Sequence, residues 1–127
     1  MSAANTERRR PLAYMPWFTG DFMTATRGWS VTARGVYREL LDAQWDRGAL
    51  PADPNELRRL IGATPTEWRA WSQHVEAKFP LGDDGQRRNA RLEQHRQHAL
   101  QVSEKRRSVG LLGVRARRQR STLRSVG

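Results

Sequence analysis

The sequence contains no cysteine. That excludes disulfides, thiolate nucleophiles and the common structural zinc sites. Histidine is scarce: His74, His95 and His98 are scattered and, without cysteine beside them, read as solvated side chains and not as metal ligands. No stretch approaches the roughly 20 consecutive apolar residues that a membrane helix needs, so no membrane partner is expected. Residues 1–10 are polar and basic with no apolar segment behind them, which gives no signal peptide and a soluble, cytoplasmic expectation. A glycine-rich phosphate loop, a serine nucleophile motif and a His–carboxylate cluster are all missing. That inventory argues against an enzyme, a cofactor and a small-molecule substrate. Asp42 and Asp46 stand one helical turn apart but lack a third ligand, and read as surface charges.

What is present is positive charge, unevenly placed. The 127 residues hold 23 Lys plus Arg against 13 Asp plus Glu, a net charge of +10. Residues 1–10 contribute +2, through Arg8, Arg9, Arg10 and Glu7. Residues 105–127 contain no acid and contribute +8. Residues 11–104 carry 12 basic and 12 acidic side chains and sum to zero. The length suits one domain of about 100 residues. The chain therefore divides into a basic arm, 1–10, a folded domain, 11–107, and a basic tail, 108–127. Blocks of like charge repel, bury no apolar surface and stay disordered until a polyanion arrives, so the tail is expected to be disordered. Arginine outnumbers lysine by 21 to 2, which favours bidentate contacts to phosphate. Lys105, Arg106, Arg107, Arg115, Arg117, Arg118 and Arg120 are accordingly candidate nucleic-acid contacts; a solubilising overhang is the plainer reading of the same residues.

Along the body, Tyr14, Trp17, Phe18, Phe22 and Trp29 crowd a segment in which Pro16 favours extended backbone. Helix signals are absent there, so an extended arm or edge strand is expected. The aromatics could stack on bases; in so small a domain they serve first as core anchors. Ser30 or Thr32 caps a helix running to about Arg47 and closed by Gly48, with Ala33, Val36, Tyr37, Leu40, Leu41 and Trp45 as its apolar face. Gln44 falls inside that stripe and reads as a hydrogen-bonded core amide. Asp53-Pro54-Asn55-Glu56 opens a short helix with Leu57, Leu60 and Ile61 inward, stopped by Gly62. Thr64-Pro65-Thr66-Glu67 repeats the start signal for a helix to about Ala77, with Trp68, Trp71 and Val75 buried.

Two capped helices joined by a short glycine-containing turn form a helix-turn-helix, an arrangement also found in plain bundles. The outer face of the second helix presents Thr66, Arg69 and Gln73, side-chain types that read base edges. Residues 79–88 then read as strand, tight turn and strand. Such a hairpin is a wing, with Arg87 and Arg88 placed for phosphate contact. From Asn89 a long helix is expected to about Arg107, with Leu92, His95, Ala99 and Val102 recurring along one side, before Gly110 and Gly113 break it into the tail.

These residues also form a recognisable series. Pro16-Trp17-Phe18, Asp21-Phe22, Thr26, Arg34-Gly35-Val36-Tyr37 and Leu40-Leu41-Asp42-Ala43-Gln44-Trp45 are followed by Leu50-Pro51-Ala52-Asp53 and Leu57-Arg58-Arg59-Leu60. Glu67-Trp68, Lys78-Phe79, Asn89-Ala90-Arg91-Leu92-Glu93 and Lys105-Arg106 complete it. In order and spacing the series resembles the YdaU-like domain of unknown function of phage and prophage proteins, over residues 14–113. The resemblance implies a winged-helix module of phage replication regions, and it brings no catalytic residues. A glycine-rich stretch common in that family is kept only in part, as Gly110-Leu111-Leu112-Gly113.

The expectation is thus a mainly α protein: a small winged helix-turn-helix domain with one β-hairpin, a long C-terminal helix and a disordered basic tail. It would bind double-stranded DNA in replication initiation or replisome organisation, with RNA as a second nucleic-acid partner. The rival expectation is an adaptor that binds a replication protein through its neutral body and uses its arms only as tethers.

Overall fold

The structure, a computed structural model, describes residues 12 and 14–126, with side chains through residue 122. The basic arm at residues 1–10 lies outside the described residues. The described chain is mainly helical: α1 Thr19–Ala25, α2 Val31–Arg47, α3 Pro54–Ile61, α4 Pro65–Arg69, α5 Val75–Lys78 and α6 Ala90–Val126, with one 3₁₀ turn at Ser72–His74.

Helix α2 is the scaffold, and α3, α4 and α6 all touch it. Its start is local chemistry: the Ser30 hydroxyl accepts the Ala33 N–H at 3.1 Å. Its end is Gly48, held at φ 91°, a conformation that a side chain would strain. Between them, Ala33, Val36, Tyr37, Leu40, Leu41 and Trp45 are buried, as the 3.6-residue spacing requires. Leu57, Trp71, Phe79 and Leu50 close over them, each almost wholly removed from solvent. Tyr37 lies at the centre of an aromatic cluster, with ring centroids 5.5 Å from Trp29, 5.7 Å from Phe22, 5.9 Å from Phe79 and 6.2 Å from Trp71. Burial pushes its hydroxyl above the ordinary value, while the hydrogen bond from Asn89 acts the other way.

Helices α3 and α4 begin as their sequences dictate. Asp53 accepts the Asn55 N–H at 3.3 Å ahead of Pro54. Thr64 and Glu67 form a reciprocal box, the Glu67 N–H on the Thr64 hydroxyl at 3.2 Å and the Thr64 N–H on the Glu67 carboxylate at 2.8 Å. In α3, Leu57 anchors the helix and Ile61 is half-buried, but Leu60, expected inward, is exposed.

Four other expectations give way. Residues 19–25 form a helix and not an extended arm. Its stability is tertiary: Phe22 stacks on Tyr37, and Asp21 is paired with Arg91 at 2.9 Å, 70 residues away.

The helix expected from Pro65 to Ala77 is broken into α4, the 3₁₀ turn and α5. Bonds of the three-residue type, from Trp71 N–H to the Trp68 carbonyl at 3.0 Å and from His74 N–H to the Trp71 carbonyl at 2.9 Å, tighten the chain. Three residues per turn put Trp68, Trp71 and His74 on one side. Both tryptophans are thereby buried, and His74 stacks on Trp29 at 4.1 Å.

Residues 79–88 make a tight turn but no strands; among the described residues only isolated antiparallel bridges occur, Leu81 with Arg87 and Leu50 with Arg87. Arg87 spends both backbone groups on Leu50, at 2.8 and 2.9 Å, and Pro80 has no N–H to offer the other arm.

Finally, α6 runs through Gly110 and Gly113 to Val126, so the tail is helical where disorder was expected. Neither glycine has the positive φ of a helix stop, and the helix continues through both.

Candidate nucleic-acid interface

The residues with nucleic-acid chemistry fall into three places. The first is the outer side of α4 and the 3₁₀ turn, where Thr66, Arg69 and Gln73 are exposed as expected. They do not share one long helix. Gln73 lies on the 3₁₀ turn, its amide nitrogen 3.4 Å from His74 Nε2. Arg69 is the one cation there, between Glu67 and Glu76, and both carboxyls are held below their ordinary range. Glu67 is held by the Thr64 backbone and hydroxyl, and Glu76 by the Arg87 guanidinium. A five-residue helix with one cation between two carboxylates is a weak approach to a polyanion.

The second place is the turn after α5, and here the structure corrects the sequence reading. Arg87 is buried at 6 % exposure. Its Nε donates to the Ala52 carbonyl at 2.7 Å, and its two terminal nitrogens to the Phe79 carbonyl at 3.0 Å and to Glu76 at 2.8 Å. It staples three segments together and has no face toward a phosphate. Nothing in the local pattern could reveal this, because the partners lie on segments whose approach depends on the whole fold. Arg88 is half-buried and grips Asp84 with both terminal nitrogens, at 2.7 and 3.1 Å. Asp84 is consequently held below the ordinary carboxyl range, with the Gln86 N–H assisting. A phosphate reaching Arg88 would have to displace that bidentate pair.

The third place is α6. It starts at Asn89, whose side-chain oxygen accepts the Leu92 N–H at 3.0 Å. The Asn89 amide donates to the Tyr37 hydroxyl at 3.2 Å and to the Lys78 carbonyl at 2.9 Å. Its backbone is matched by Gln44, fully buried on α2: Asn89 N–H to Gln44 Oε1 at 2.6 Å, and Gln44 Nε2 to the Asn89 carbonyl at 3.2 Å. The core-amide reading of Gln44 therefore holds, and its partner is the root of α6. Two turns on, Arg96 is buried and donates to the Trp45 carbonyl at 3.0 Å. Beyond residue 104 the helix changes character. Lys105, Arg106, Arg107, Arg115, Arg117, Arg118 and Arg120 are all exposed, and among the described residues none is paired with a carboxylate. Arg117 reaches only the Gly113 carbonyl of its own helix, at 3.4 Å.

Residues 13–97 match the family model described as Protein of unknown function (DUF1376). The chain belongs to this family. The matched segment runs from the aromatic N-terminal stretch through the helical body to the first turns of α6, and it ends before Lys105. The cationic part of α6 is thus additional to the family segment. No curated protein and no solved structure matches the chain.

Sequence reasoning passed over two features of this body. An apolar cavity of about 320 Å³ lies between the aromatic N-terminal stretch, α2 and the root of α6, walled by Trp17, Phe18, Phe22, Tyr37, Leu92 and His95. His95 stacks on Phe18 at 4.2 Å, and among the described residues its Nε2 has no hydrogen-bond partner. The other is a stripe of amides on α6, Gln94, Gln97 and Gln101 with His98, which stand at helical spacing opposite the buried Leu92 and Arg96. The alternation of 3 and 4 residues was visible in the sequence. Among the described residues no helix is long and apolar enough to cross a membrane.

Proposed function

We propose that the protein binds nucleic acid, with double-stranded DNA as the partner, in the initiation of phage or prophage replication or in organising a replisome in the cytoplasm. The observation that carries the reading is the segregation of charge. A body of zero net charge is followed by a stretch of helix with eight Lys or Arg and no acid, exposed at Lys105, Arg106, Arg107, Arg115, Arg117, Arg118 and Arg120. Each phosphate neutralised by such a side chain releases condensed counterions, and this supplies affinity without regard to sequence. Arginine in place of lysine adds bidentate geometry. The finer description of the body as a winged helix-turn-helix belongs to this proposal; the Gly62 turn between two capped helices and the tight turn after α5 support it. Arg87 has no part in the contact.

The test is fluorescence anisotropy of a labelled 30-base-pair duplex against the full chain, compared with a variant carrying Arg115→Gln, Arg117→Gln, Arg118→Gln and Arg120→Gln. The variant should bind more weakly at low salt. Its slope of log affinity against log salt should be shallower by roughly 3 to 4, since each phosphate contact contributes about 0.9. An unchanged slope would remove α6 as the DNA-binding element. It would favour instead the adaptor reading, which rests on the neutral body and on the apolar cavity beneath Trp17 and Phe18.

A further inference from the structure

We propose that the base-reading surface is the polar face of α6 built by Gln94, His98, Gln101 and Lys105, and not the α4 face that the helix-turn-helix pattern singles out. The inference rests on the duplex-DNA reading above and deepens it by naming the groove contact. Counting about 100° per residue, Gln94, Gln97, His98, Gln101, Lys105, Ser108 and Arg115 fall within roughly 60° of one direction on α6. Arg91 opens the same face, and no acid interrupts it from there to Arg115. Glu93 stands at the border and is drawn away, accepting from Gln97 at 2.7 Å and from Gln44 at 3.5 Å. Glu104, exposed, occupies the same border immediately before Lys105.

The chemistry of the stripe fits base edges. Glutamine can donate and accept in one plane against adenine, and lysine can donate to guanine. Among the described residues the side chains of Gln94, His98 and Gln101 make no hydrogen bond, so their polar groups are available to a partner. The face is borne on a helix that a major groove about 12 Å wide admits, and it leads past the exposed Leu112, which points the same way as Gln94, to Arg115. A groove of about 590 Å³ also separates it from the turn after α5, with Gln86 and Arg88 on the far wall. The turn therefore flanks α6, as a wing would flank a recognition helix. By contrast α4 has five residues and carries Arg69 between two carboxylates.

The experiment uses the full chain. A preferred site is selected from a random-sequence duplex pool, and the ratio of affinities for that duplex and a scrambled one is measured by competition anisotropy. The comparison is wild type, a Gln94→Ala/His98→Ala/Gln101→Ala variant, and an Arg69→Ala/Gln73→Ala variant. All substituted side chains are exposed, and unchanged far-UV circular dichroism verifies the fold. The α6 variant should lose selectivity by about tenfold or more, since each good base contact is worth about 1–3 kcal/mol of discrimination. Its affinity for scrambled duplex should stay within about twofold, and the α4 variant should keep the wild-type ratio. Selectivity that survives the α6 substitutions, or that disappears with Arg69 and Gln73, overturns the proposal and leaves DNA binding in place. Wild-type binding without preference for any sequence overturns it too. No binding of any duplex removes the DNA reading itself, a separate and recognisable outcome.

Discussion

Residues 90–104 and residues 105–122 belong to one helix but are held in opposite ways. The first stretch is capped by Asn89, buries Leu92 and Arg96 against α2, and shares in a body with balanced charge. In the second, every described side chain except at Gly113 is exposed; Val109, Leu111 and Leu112 are more than half uncovered, and the net charge is strongly positive. The first segment is helical because packing demands it. The second depends on propensity alone, and it is opposed by two glycines and by repulsion between like charges. The family segment ends inside the first stretch, so the contrast in physics runs alongside a contrast in membership.

The largest effect that would separate the two regions comes from Arg87. Replacing Arg87 by Ala orphans the Phe79 and Ala52 carbonyls, and should cost about 3 kcal/mol of stability, the penalty for unsatisfied buried groups. Chemical denaturation measures this. Glu76 is 76 % exposed and adds little to that figure. The salt slope of DNA binding should stay as in wild type. A shallower slope would return Arg87 to the interface.

A smaller effect of opposite sign is expected in the projecting stretch. Gly110→Ala with Gly113→Ala places each new methyl in open space at an ordinary helical φ. Helix propensity should rise by about 1 kcal/mol per site. The readout is a gain in far-UV helical signal with the thermal midpoint of the body unmoved. A shifted midpoint would mean that the two stretches are not energetically separate.

The smallest effect is a dependence on pH confined to the body. Glu67, Glu76 and Asp84 have folded pKa values below their ordinary ones. Their stabilising contribution is complete above the unfolded values, which lie at about 4 for ordinary carboxyls, and is lost as pH falls through the lowered ones. A thermal midpoint flat from about pH 7 to 5 and falling below about 4 is the expectation. The basic stretch has no carboxylate and should not respond.

Local signals were legible wherever a few neighbouring residues settle the matter. The Ser30 cap, the Gly48 and Gly62 stops, the Thr64–Glu67 box and the apolar face of α2 could all be read from spacing. Family membership was legible too, from the aromatic blocks. Features decided by distant partners were not. Thr19–Ala25 contains Gly20 and no capping side chain, and folds as a helix because Tyr37 and Arg91 receive it. Burial of Trp68, Trp71 and Val75 was legible from spacing, but the 3₁₀ tightening that breaks their helix was not, because a single-period count cannot show it. Arg87 looked like a surface cation because its acceptors come from the Phe79 and Ala52 carbonyls. At Gly110 and Gly113 the error was to treat glycine as a stop without the left-handed backbone that a stop requires.

The reciprocal bonds between Gln44 and Asn89 give α6 the properties of a lever with its fulcrum at one amide pair. At 1.5 Å per residue, Arg120 lies roughly 45 Å from Asn89 along the axis. A tilt of about 10° at that root would swing the far end by about 8 Å, more than the spacing between neighbouring phosphates on a strand. The bearing of the cationic stretch is thus set at the root, by Gln44 on the Asn89 backbone and by the buried Arg96 on Trp45, groups that no ligand needs to touch.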